Sequence, residues 1–161
     1  MKNALIACAA GLLITSPSFA GTDDIGPGQE LAKLIFGSID SNSGGLADMG
    51  HFTAFGNDIF VSMDGNDDGK ITLEEFQEWD FGFNFIAEDE GQQRAYDTAQ
   101  KILFAVWDRD NNGEINGSEY HKSMTADFRR ADINDDAFLS EDEFLQGYIV
   151  NRAYRAAVTG N

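Results

Sequence analysis

The sequence predicts an all-α fold made of four helix–loop–helix units arranged in two pairs. Three observations carry that prediction. Oxygen-bearing side chains recur at alternate positions in short stretches that begin at Asp64, Asp108 and Asp132. Aromatic residues flank each stretch at fixed distances, with Phe60, Phe104 and Phe128 before and Phe76, Tyr120 and Phe144 after. The pattern also repeats: Asp64 to Asp132 is 68 residues, and stepping back 68 from Asp108 lands on Asp40, where a weaker copy begins.

The amino-terminal segment is read first, because it is not expected to belong to the fold. Lys2 precedes an apolar run from Ala4 to Thr15, and Ser18-Phe19-Ala20 offers small residues for cleavage after Ala20. Residues 1–20 are therefore read as a signal peptide, and a periplasmic or secreted location in a bacterium follows as an expectation. The run is too short to span a bilayer, so no membrane insertion is expected after cleavage. Cys8 is the only cysteine and lies inside this segment, which leaves the mature chain without thiol or disulfide. Leu5-Ile6-Ala7-Cys8 resembles a lipoprotein box, so anchoring through Cys8 is the competing reading.

Acidic residues outnumber basic ones 28 to 11, a formal net charge of −17. Losing Lys2 leaves 10 − 28 = −18. Such a chain has no electrostatic reason to approach nucleic acid or an anionic lipid surface. Thirteen Phe, four Tyr and two Trp argue for a buried core rather than disorder.

The three stretches fit one coordination chemistry. Calcium is a hard cation that takes six to eight oxygens, and a twelve-residue loop supplies them from positions 1, 3, 5, 7, 9 and 12, with a sharp turn at 6. In the first loop these are Asp64, Asn66, Asp68, the Lys70 carbonyl, Thr72 and Glu75, with Gly69 at the turn. In the second they are Asp108, Asp110, Asn112, the Glu114 carbonyl, Asn116 and Glu119, with Gly113 at the turn. In the third they are Asp132, Asn134, Asp136, the Phe138 carbonyl, Ser140 and Glu143. That loop departs once, with Ala137 at the turn, where a left-handed backbone costs alanine on the order of 1 kcal/mol. About three bound Ca2+ are expected, the Ala137 loop binding more weakly.

The copy beginning at Asp40 is degenerate. Asp40, Asn42 and Asp48 hold positions 1, 3 and 9, but Gly44 has no side-chain oxygen and His51 stands where a bidentate carboxylate is needed. Phe36 and Phe52 keep the flanking register. Its expected role is packing against the Asp64 unit. Twelve residues, Phe52 to Met63 and Tyr120 to Ala131, join successive loops, and Asn57 and Thr125 are read as N-caps within them.

From about Ile35 to Val150 the chain resembles the EF-hand calcium-binding superfamily, the bacterial exported type with closely spaced pairs. The resemblance implies helix–loop–helix pairs, each sharing a short two-stranded ribbon through the apolar eighth positions, Ile71, Ile115 and Leu139. Ala47 is a poor ribbon partner for Ile71. The expected division is a signal peptide at 1–20 and a first pair at 21–80, with a degenerate hand at 36–55 and an intact one at 58–80. A linker and the start of a connecting helix occupy 81–98, and a second pair with its tail occupies 99–161.

Between the pairs, Gln92 to Trp107 reads as a helix with Ala99, Ile102, Leu103 and Val106 on one face. Phe81, Phe83 and Phe85 are expected to tuck from a loop between the lobes. Arg152 and Arg155 are expected to complement the acidic body or the last helix terminus. No reactive thiol, zinc-binding HExxH or phosphate loop is present, so an enzyme is not expected. Calcium is expected to stabilise the fold or to be held as a low-affinity store. The alternative is a calcium sensor that exposes an apolar groove to a protein target. Only Met49, Met63 and Met124 remain in the mature chain, too few for the adaptable surface of a promiscuous sensor.

Overall fold

The helix starts follow from local chemistry. Asp48 caps a helix over Met49–Met63 (α2), its Oδ1 accepting from the His51 amide at 2.8 Å. Thr72, Asn116 and Ser140 open three further helices with reciprocal capping boxes: Leu73–Glu78 (α3), Gly117–Ala131 (α6) and Glu141–Gly147 (α7). The remaining helices are Pro27–Ile39 (α1), Phe83–Asp89 (α4), Gln93–Trp107 (α5) and Ile149–Val158 (α8). Among the described residues, four strands of three residues each complete the order: Leu46–Asp48 (β1), Lys70–Thr72 (β2), Glu114–Asn116 (β3) and Phe138–Ser140 (β4). This computed structural model describes residues 25–39, 44–79 and 81–159. The expected signal peptide with Cys8, and Asp40 and Asn42 of the degenerate loop, lie outside the described residues. Among the described residues no helix is long and apolar enough to cross a membrane.

The helical character agrees with the sequence reading; the pairing of loops differs from it. Successive loops do not share a ribbon. The strand of the Asp64 loop pairs antiparallel with that of the Asp108 loop, Ile71 facing Ile115. The strand of the degenerate loop pairs with that of the Asp132 loop, Ala47 facing Leu139. The degenerate unit therefore partners the Asp132 unit and not the Asp64 unit. The cause lies in α2 and α6. Each is one unbroken helix of 15 residues, the outgoing helix of one loop and the incoming helix of the next. At about 1.5 Å per residue, each holds successive loops roughly 22 Å apart, beyond the reach of a ribbon. Asn57 and Thr125 are accordingly mid-helix residues and not caps, and Thr125 Oγ1 donates back to the His121 carbonyl at 2.9 Å.

The flanking aromatics cross between the units that share a ribbon. Phe36 meets Phe144 at 5.4 Å and Phe52 meets Phe128 at 5.6 Å between ring centroids. Phe60 meets Tyr120 at 5.1 Å and Phe76 meets Phe104 at 5.8 Å. Such edge-on and tilted contacts contribute beyond the area they bury. Trp107 is buried among them, its Nε1 donating to Asp127 Oδ2 at 3.1 Å.

Two glycines mark close approaches between helices. A side chain on Gly56 would lie 2.5 Å from Met124 Cε, the flexible end of a side chain on α6. A side chain on Gly147 would lie 2.4 Å from Ala131 Cα, fixing α7 against the end of α6.

The segment after α3 also differs from expectation. Phe83 is fully buried against Tyr154 of α8, whereas Phe85 on the other side of α4 is 61% exposed. It is a short helix and not a loop. On α5 the buried stripe is Tyr96, Ala99, Gln100, Leu103, Phe104 and Trp107, and Ile102 and Val106 face outward. Arg155 reaches the Leu145 carbonyl near the end of α7 at 2.8 Å and Gln29 Oε1 at 3.1 Å, not the terminus of its own helix.

Candidate metal centre

Each of the three acidic loops is closed by the same hydrogen bonds. The first carboxylate turns inward and takes two backbone amides. Asp64 accepts from Asp68 N at 3.0 Å and Gly69 N at 2.8 Å. Asp108 accepts from Asn112 N at 3.1 Å and Gly113 N at 2.9 Å. Asp132 accepts from Asp136 N at 3.2 Å and Ala137 N at 3.0 Å. The third residue repeats the move, Asn66, Asp110 and Asn134 each accepting from the amide two positions on. The fifth does likewise: Asp68, Asn112 and Asp136 accept from Lys70, Glu114 and Phe138.

These bonds bend the chain enough to require left-handed backbone twice per loop. Asp67, Asn111 and Asp135 lie at φ 58°, and Gly69, Gly113 and Ala137 at φ 81°, 89° and 69°. Ala137 has thus kept the turn that its two counterparts make with glycine.

The twelfth residue folds back over the loop start. Glu119 Oε1 accepts from Arg109 N at 2.9 Å and Asp110 N at 3.2 Å, while Oε2 accepts from Asn116 N at 3.1 Å. Glu143 does the same with Ile133 N and Asn134 N at 3.2 and 3.3 Å, and with Ser140 Oγ at 2.8 Å. Glu75 accepts from Thr72 N at 2.9 Å and Thr72 Oγ1 at 2.8 Å. The Thr72 amide, followed by its hydroxyl, holds the Glu75 carboxyl below the usual carboxylate range. The Ser140 amide does the same for Glu143, against the opposing pull of burial.

Carboxylate oxygens of Asp108, Asp110 and Glu119 lie within 4.8 Å of one another, close enough for one ion. Asp108 and Glu119 of this cluster are buried, and buried acids gathered this way call for a compensating cation.

Lys70 and Glu114, expected to contribute carbonyls, also join their side chains across the β2–β3 ribbon, Lys70 Nζ to Glu114 Oε2 at 2.6 Å. Both stand at the seventh position, so the pair is legible once the ribbon partners are known. In the degenerate loop, Gly45 is left-handed at φ 76° and β1 is formed, while Asp48 is turned to the amide and ring of His51.

Residues 57–79, which span the end of α2, the Asp64 loop and α3, match the family model described as EF hand. No curated protein matches the chain.

Proposed function

We propose that this is an EF-hand protein that binds calcium through the loops at Asp64, Asp108 and Asp132. The observation that carries the reading is the common hydrogen-bonded frame of the three loops, one of which lies within the EF-hand match. The donor sets consist entirely of oxygen, which suits a hard cation, and a Glu at position 12 can supply two of them. Asp64, Asn66, Asp68, the Lys70 carbonyl and Glu75 would hold one ion. Asp108, Asp110, Asn112, the Glu114 carbonyl and Glu119 would hold the second. Asp132, Asn134, Asp136, the Phe138 carbonyl and Glu143 would hold the third. Thr72, Asn116 and Ser140 spend their side chains on helix caps, so their share is best made through a water.

Bound calcium neutralises carboxylates that otherwise repel one another. Three ions would take the mature charge from −18 to −12. Because each ion ties a β-strand to the start of the next helix, binding energy is folding energy. The structural or storage role is favoured over a sensor, since Met63 and Met124 are buried in the core. An exported location belongs to the same reading, and extracellular modules commonly bind at about 10⁻⁴–10⁻³ M.

Calorimetric titration of calcium into the metal-stripped chain tests it, beside Glu75→Gln, Glu119→Gln and Glu143→Gln. Close to three sites is expected, each substitution removing one. Absence of binding heat together with a chelator-insensitive melting curve would reject the assignment.

A further inference from the structure

Six of the eleven basic side chains of this acidic protein line two grooves. Arg130, Arg152 and Arg155 line a groove of about 640 Å3 between the end of α6, α7 and α8. Arg109, Lys122 and Arg129 line a second groove of about 440 Å3 on the neighbouring side of α6. Neither lining contains an Asp or Glu, although the chain carries 28 of them. Among the described residues, only Arg130 of these six forms an ion pair, with Asp127.

The larger groove is built for more than a solvated charge. Arg155 is pinned by two neutral acceptors, the Leu145 carbonyl at 2.8 Å and Gln29 Oε1 at 3.1 Å. A guanidinium has five N–H donors, so most of its capacity remains. Arg152 is exposed and has no side-chain partner among the described residues. Beside these cations the wall is apolar, with Ile149, Ala153 and Ala156.

We infer that this groove binds a small amphiphilic anion: a carboxylate or phosphate headgroup on a short apolar body. Its volume falls in the range of small-molecule sites. The pinned Arg155 offers preorganised donors, and Arg152 is free to close on the headgroup. The net charge of −17 repels long polyanions, while a short anion inside about one Debye length meets the local arginines. The inference does not rest on calcium binding.

The test titrates octanoate and octyl phosphate into the full chain in buffer of physiological ionic strength, followed by amide and arginine side-chain NMR shifts. Saturable binding of either probe is expected, the stronger one identifying the headgroup, with shifts centred on α7 and α8. Arg152→Glu should weaken it at least tenfold and Arg152→Gln by less. Lys101→Glu, an identical charge change on the exposed face of α5, should leave it unchanged. No saturable binding of either probe, binding of acetate equal to that of octanoate, or equal weakening by Lys101→Glu would overturn the inference.

Discussion

Ala137→Gly should stabilise the protein, although replacing alanine by glycine usually does the opposite. Ala137 sits at φ 69°, in the turn that Gly69 and Gly113 make at 81° and 89°. Left-handed backbone costs a residue bearing a Cβ about 1–2 kcal/mol. Glycine returns about 0.4–1 kcal/mol of that through the greater freedom of its unfolded chain. No packing is forfeited: Ala137 is exposed, and a Cβ built on Gly69 or Gly113 meets nothing within 4 Å. The net gain is about 0.5–1 kcal/mol, which corresponds to roughly two- to fivefold tighter calcium at the Asp132 loop if the turn forms with the ion. Calorimetry and thermal melting of the two proteins side by side measure both quantities. The reciprocal changes Gly69→Ala and Gly113→Ala should weaken their own loops by a similar factor. A lower melting temperature and weaker calcium binding in Ala137→Gly would refute the strain argument.

Cysteines placed at Ile71 and Ile115 in a Cys8→Ser background should form a disulfide on oxidation, because facing antiparallel residues lie within disulfide reach. Cysteines at Ala47 and Ile71 should not, and non-reducing electrophoresis separates the two outcomes. Gly147→Ala should lose about 1–3 kcal/mol in urea unfolding, since its methyl would overlap backbone of Ala131. In the calcium-free protein, the lowered carboxyls of Glu75 and Glu143 contribute stability above the ordinary glutamate value of 4.5 and lose it as pH falls through their folded values. Asp127, raised by burial, works in the opposite sense. Melting temperature against pH should therefore fall less steeply on the acid side in Glu75→Gln, and an unchanged profile would count against the proposed hydrogen bonds.

The loops and their flanking aromatics were legible because both are fixed by spacing within about twenty residues. All eight aromatics occupy core positions, Phe60 being partly covered. The partners were not legible, because nothing local says which strand a three-residue strand will meet. Asn57 and Thr125 are good cap residues by type, yet both lie inside unbroken helices that hold successive loops apart. The sequence between Phe52 and Met63 contains no proline, and Gly56 could be taken for a weak point of a helix. Its reason is tertiary, the approach of Met124. On α5, Ala99 and Leu103 lie on the buried stripe, whereas Ile102 and Val106 share the helical spacing but face outward, because Tyr96, Gln100 and Trp107 set the phase.

The crossed ribbons give the repeat of 68 residues a geometric meaning. Exchanging the two halves of the chain turns the contact Phe36–Phe144 into Phe104–Phe76, and Phe52–Phe128 into Tyr120–Phe60. That is the rule of an isologous two-fold interface, here closed within one polypeptide. Neither half is a domain, since each must borrow both of its ribbon partners from the other. A covalently joined dimer of this kind also frees one copy of each residue from duty. Gly44 and His51 stand where ligands would be, yet Ala47 still gives Leu139 its strand, so chemistry could be lost from one loop while the architecture it serves was kept.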